Sequence, residues 1–86
     1  MNNSLNPRVA NVKCLDDYQL EINFSNGEIG RYSVLGILKF GVFAELADVA
    51  YFKMARVMNG TISWPNEQDI CPDTLYLDSV KISPTR

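Results

Sequence analysis

Histidine is absent from the 86 residues. Its absence removes serine–histidine–aspartate and cysteine–histidine nucleophile systems, and with them every histidine-ligated metal site. Cysteine is scarce: Cys14 and Cys71 lack the close spacing of a metal knuckle or redox pair. Both are expected to be buried and reduced, and only geometry decides whether a disulfide joins them. Five glycines, at 27, 30, 36, 41 and 60, match neither a P-loop nor a Rossmann fingerprint, so no phosphate cradle is expected. No apolar run approaches the roughly 20 residues that span a bilayer. Nor does a basic segment followed by an apolar core open the chain, so a cytoplasmic protein without membrane contact is expected. Neither sign of charge dominates, with eight basic and ten acidic residues and a formal net charge of −2. The lysines and arginines are scattered, whereas a domain that grips nucleic acid by itself usually carries a basic stripe that neutralises phosphates. No autonomous nucleic-acid binding is therefore expected.

What is present is an ordinary globular composition, 47% hydrophobic and 21% charged. It predicts one domain, residues 1–86, with an ordered core over about 7–82 and frayed ends at Met1–Asn6 and Pro84–Arg86. In Asp17–Ser25, Tyr18, Leu20, Ile22 and Phe24 alternate with polar residues, the period of a half-buried strand. Asn26-Gly27 follows and predicts a type I′ turn, with Glu28–Ser33 returning antiparallel. Arg8–Leu15 reads as a preceding strand, closed by a tight turn at Asp16-Asp17. Further on, Phe43, Leu46, Ala47 and Ala50 recur at helical spacing. Gly36 and Gly41 divide that region into a turn near Val34–Lys39 and a helix from Val42 to about Asp48. Tyr51–Met58 reads as a strand, Asn59-Gly60 as a second type I′ turn and Thr61–Trp64 as the return strand. Pro65–Cys71 reads as a loop. Pro72-Asp73 suits the start of a last helix, with Leu75, Tyr76 and Val80 on its apolar stripe. The order β-β-β-α-β-β-α predicts an α+β fold, a small antiparallel sheet with helices packed on one side.

The densest stretch is GTISWPNEQDICPDTLY, Gly60 to Tyr76. Carboxylates at Asp16-Asp17 and at Glu67, Asp69 and Asp73 are the remaining candidates for a hard cation or acid–base chemistry. Turn chemistry accounts for the first pair, and the polarity of the last helix accounts for Asp73. Trp64 is expected to pack in the core, its indole N–H on a loop carbonyl, with an exposed anchor as the alternative. Cys71 lacks an adjacent base that would make it a nucleophile. No catalytic residue, cofactor site or metal site is assigned. Trp64, Asn66, Glu67, Asp69, Asp73 and Tyr76 form the candidate interaction surface, and the loop Asn66–Asp69 has no structural explanation at this stage.

Read in order, PRVANV, LDDYQLEINFSNGE, GVFAELAD, YFKMARV and GTISWPNEQDICPDTLY resemble the prokaryotic domain-of-unknown-function 2442 family from Pro7 to about Val80. Two departures stand out: Arg31-Tyr32-Ser33 replaces an aromatic followed by Asp, and Glu67-Gln68 reads as lengthening the last loop by about one residue. The resemblance implies a small α+β domain of the kind that forms the N-terminal half of some helix-turn-helix proteins. Other members stand beside a second small protein, in an arrangement similar to toxin–antitoxin pairs. No enzymatic activity follows from it. The expected function is thus a non-enzymatic interaction or regulatory module of bacterial origin, the antitoxin-like member of a two-gene pair, with another small protein as partner. Self-association through an unpaired strand edge stays open. The alternative is a small-ligand sensor with its pocket near the Trp64–Tyr76 loop.

Overall fold

A computed structural model describes residues 6–82. Apart from Asn6, whose side-chain amide donates to Asp73 at 3.2 Å, the ends expected to fray lie outside the described residues. The strands are β1 (Val9–Leu15), β2 (Gln19–Phe24), β3 (Ile29–Ser33), β4 (Arg56–Met58), β5 (Thr61–Ser63), β6 (Asp69–Ile70) and β7 (Val80–Ile82). Between β3 and β4 come 3₁₀ turns at Val34–Ile37 and Gly41–Ala47 and a helix α1 (Val49–Phe52); α2 (Pro72–Asp78) precedes β7. The strands form two antiparallel sheets, β1-β2-β3-β7 and β4-β5-β6. The α+β class and the approximate element order are as the sequence predicts, but the strands are shared between two sheets.

Alternation in β2 does what its period requires. Leu20, Ile22 and Phe24 are buried, and register pairs Leu20 with Tyr32 and Ile22 with Gly30 on the core face. Glu21 and Arg31 face outward, their charges 3.9 Å apart. Gly30 is needed there, because a Cβ would stand 2.6 Å from Ser79 Oγ and 3.2 Å from the Phe24 ring.

The turns redistribute the left-handed residues. Asn59-Gly60 has φ of 54° and 79°, the type I′ pattern expected. At Asn26-Gly27 only Gly27 is left-handed, at 93°. Phe24 N–H donates to Glu28 O at 2.8 Å and Gly27 N–H to Phe24 O at 2.9 Å, closing a three-residue loop with its left-handed residue last. Asn26 instead accepts the Glu28 N–H through its side chain at 3.0 Å. The paired positive φ angles of a type I′ turn fall at Asp17 (64°) and Tyr18 (60°). That strained tyrosine is held by its hydroxyl bond to Ala47 O and by its ring, 5.5 Å from Phe52.

Three segments depart from expectation. Gly41–Ala47 winds as 3₁₀, three residues per turn, so Leu46 is buried while Ala47 and Ala50 are exposed. Asp48 then caps α1 by accepting the Ala50 N–H at 3.0 Å, so Tyr51 and Phe52 are helical and β4 starts only at Arg56. Finally, α2 stops at Asp78; Ser79 is extended, and Val80–Ile82 pairs with β3 instead of continuing the helix. Among the described residues, no helix is long and apolar enough to cross a membrane.

Candidate functional site

Trp64 directly follows β5 and lies in the core, 1% exposed, and its indole N–H donates to Phe52 O at 3.0 Å. From it the chain makes a closed hairpin, not a loose loop. Trp64 N–H donates to Gln68 O at 2.9 Å and Glu67 N–H to Trp64 O at 2.9 Å, the same pattern as at Phe24–Glu28. Glu67, with φ of 72°, takes the place that Gly27 holds in the first hairpin. The loop is therefore of regular length, and Asp69–Ile70 pairs with β5 as β6.

Side chains fix this hairpin to the layer above it. Gln68 is 4% exposed; its Oε1 accepts from the Tyr51 hydroxyl at 2.6 Å and its Nε2 donates to Glu45 at 2.8 Å. Asn66 Nδ2 donates to both Glu45 oxygens at 2.9 Å, and Asn66 N–H donates to the Tyr51 hydroxyl at 2.9 Å. A buried polar group is tolerated when its partners are in place, and here both ends of the Gln68 amide are satisfied. Glu45 and Tyr51 were missed as parts of this site, since nothing in their spacing links them to a loop some twenty residues onward. Glu67 and Asp69 remain exposed, beside a depression of about 330 Å³ lined also by Met58, Asn59, Thr61 and Ser63.

The remaining candidates lie elsewhere. Asp73 is half-buried in the first turn of α2 and accepts from Asn6. Tyr76 is drawn to the β2–β3 hairpin: its hydroxyl donates to Glu28, and its ring meets Phe24 edge-on at 5.0 Å. Lys81 Nζ stands 4.1 Å from the centre of the Tyr76 ring. The Tyr76 hydroxyl, then the Asn26 amide, hold the Glu28 carboxyl below its ordinary pKa, while the same Glu28 bond, ahead of burial, raises that of Tyr76. Of the six residues, Asn66, Glu67 and Asp69 share one exposed hairpin, Trp64 lies beneath it, and Tyr76 is held to the other hairpin.

The cysteines are both free. Cys14 is half-buried, and burial raises its pKa against the opposing effects of a backbone bond at Ala55 and of Lys53. Cys71 is exposed at the head of α2, contrary to expectation, because the hairpin and α2 leave its side chain outside the core. Asp16 and Asp17 occupy the exposed β1–β2 turn. Among the described residues no three histidine, cysteine or acidic side chains gather where they could hold a metal ion.

A search of curated proteins finds no match. Among solved structures, the chain is similar to NE0471 from Nitrosomonas europaea, described as a "Putative DNA Binding Protein", with a TM-score of 0.71 and 24% identity. The similarity covers 90% of this chain and 50% of that one, so this chain spans about half the length of its neighbour. This contradicts the expectation of no autonomous nucleic-acid binding, since a protein sharing the fold carries that description. The reason is physical: scatter along the sequence does not fix where folding puts charge. Lys13 and Arg31, distant in sequence, share one face of the larger sheet on either side of Glu21. With residues 9–81 matching its model, the chain belongs to the family described as "Protein of unknown function (DUF2442)".

Proposed function

We propose that this chain is a non-enzymatic regulatory module that acts in the cytoplasm by docking another macromolecule through the β5–β6 hairpin. The observation that carries the reading is modularity: nearly all of this fold corresponds to only half of a longer chain. A fold used as one part of a larger protein is suited to binding and control. The description of that neighbour as DNA-binding favours a place in gene regulation, and the family resemblance favours an antitoxin-like member of a two-gene pair.

Asn66, Glu67 and Asp69 are the docking residues in this reading. Their hairpin is held by Glu45, Tyr51 and Gln68, so little freedom is lost when a partner binds. Glu67 keeps a left-handed backbone at some cost, and such outliers concentrate at functional positions. Trp64 and Gln68 fill the interior beneath the hairpin, so no ligand pocket is proposed there.

Co-expression with the product of the neighbouring gene tests this function. The expected result is co-purification at a fixed ratio and rescue of growth when that product is toxic. A lone species with no growth rescue would overturn it. Fluorescence anisotropy with labelled duplex DNA, on the chain and on the purified pair, then measures the contribution of each to DNA binding.

A further inference from the structure

The second sheet has an open face. Register sets Arg56 opposite Ser63 and Ser63 opposite Asp69, and it sets Met58 opposite Thr61. Alternation puts these five residues on one side, with Ile62 and Ile70 on the other, buried in the core. The open side carries the depression of about 330 Å³. Thr61 and Ser63, on the middle strand, lie between Met58 and Asn59 on the β4 side and Glu67 and Asp69 on the β6 side.

This lining offers hydrogen-bond acceptors and no positive charge. Glu67 and Asp69 are exposed, and among the described residues neither carboxylate has a salt bridge or a side-chain hydrogen bond. Arg56 shares the face, but β5 separates it from Asp69 and the two do not pair. Ser63 supplies an independent sign. It is 6% exposed, and its hydroxyl donates only to the Met58 sulfur, a weak acceptor, at 3.8 Å. Among the described residues nothing donates to its oxygen, so a buried hydroxyl keeps its acceptor capacity at the depression. A thioether compensates a buried hydroxyl poorly, and a donor arriving from outside accounts for the arrangement. Met58, 42% exposed, places apolar surface beside these acceptors.

The occupant must therefore donate hydrogen bonds, carry positive charge and bring apolar surface with it. Phosphate would meet two unpaired carboxylates, so a nucleic-acid backbone does not suit this face. A bare divalent cation takes six or more oxygen ligands, and among the described residues no third acidic side chain joins these two. Arginine meets every requirement, with five N–H donors in a planar fork on an apolar stem. We propose that this depression receives an arginine side chain of a partner protein. Its guanidinium meets Glu67, Asp69 and the Ser63 hydroxyl, and its stem lies on Met58. The inference rests on the docking reading and adds to it the chemistry of the partner's contact.

Amide chemical-shift titration of the full chain tests it with three probes: a blocked pentapeptide with arginine at its centre, the same peptide with glutamine there, and magnesium chloride. The arginine peptide is expected to shift Met58, Ser63, Glu67 and Asp69 saturably, and less tightly as salt rises. The glutamine peptide is expected to bind about tenfold or more weakly. Glu67→Gln with Asp69→Asn removes charge and keeps size; it should leave the fold unchanged and weaken the arginine peptide about tenfold or more. Absence of saturable shifts, equal binding of the two peptides, or the same shifts from magnesium overturns the proposal. Affinity for the co-expressed partner separates it from the docking reading. If Glu67→Lys with Asp69→Lys loses the partner while Glu67→Gln with Asp69→Asn keeps it in full, the hairpin docks without arginine and only this proposal falls. If both variants keep the partner, the docking reading falls with it.

Discussion

Glu67 and Gly27 hold equivalent places in two hairpins with the same hydrogen bonds, yet only one of them is glycine. A left-handed backbone costs an L-residue about 1–2 kcal/mol, part of which glycine gives back through its freer unfolded chain. Glu67→Gly is therefore expected to stabilise the protein by about 0.5–1 kcal/mol in urea unfolding. Tyr76 and Glu28 provide a second test. Glu28 has a folded pKa below its unfolded one, so its contribution is complete above the ordinary glutamate pKa and is lost as pH falls through the lowered value. Tyr76 has a raised pKa, so its contribution is present below the ordinary tyrosine value and is lost as pH rises through the raised one. Tyr76→Phe should move the Glu28 carboxyl titration, followed by carbon NMR, upward toward the ordinary value. At this scale Trp64 was legible, because a tryptophan at a strand end before proline has an obvious place in the core. The Glu45–Asn66–Gln68 network was not, since hydrogen bonds between distant segments leave no local pattern.

Among the elements, β7 depends on Gly30. A methyl at that position would collide with Ser79, which sits at the turn from α2 into β7. Gly30→Ala is expected to cost about 1–3 kcal/mol, as overpacking of a close contact does. Adding Ser79→Gly should recover part of that loss, and a double-mutant cycle by urea unfolding measures the coupling. The β2–β3 hairpin could be read from alternation and its Asn-Gly pair, which act within a few residues. β6 and β7 could not, because two or three residues carry no periodicity and their pairing is set by the strands they meet. Tyr51-Phe52 carries β-forming side chains, yet the Asp48 cap and the burial of Phe52 make the segment helical.

For the molecule as a whole, Trp64 and Phe52 join the second sheet to the core of the first, and both are almost wholly buried. A chain of this length has about 4–13 kcal/mol of stability in total. Trp64→Ala is expected to cost about 3–5 kcal/mol, leaving little or none of that margin, as a denaturant melt will register. The α+β class was legible because the period-two strands are interrupted by stretches without that period, although these wind largely as 3₁₀ turns and short helices. The split into two sheets was not, since it depends on which strand edges meet.

The central claim is that the β5–β6 hairpin is the docking face. Titration calorimetry of the co-expressed partner into the wild-type chain and into a Glu67→Lys, Asp69→Lys variant tests it most directly. Both side chains are exposed, so the variant should keep its fold and melting behaviour. The account predicts binding weakened by about tenfold or more, as charge reversal at a docking face produces. Equal affinity for the folded variant and the wild type would contradict it.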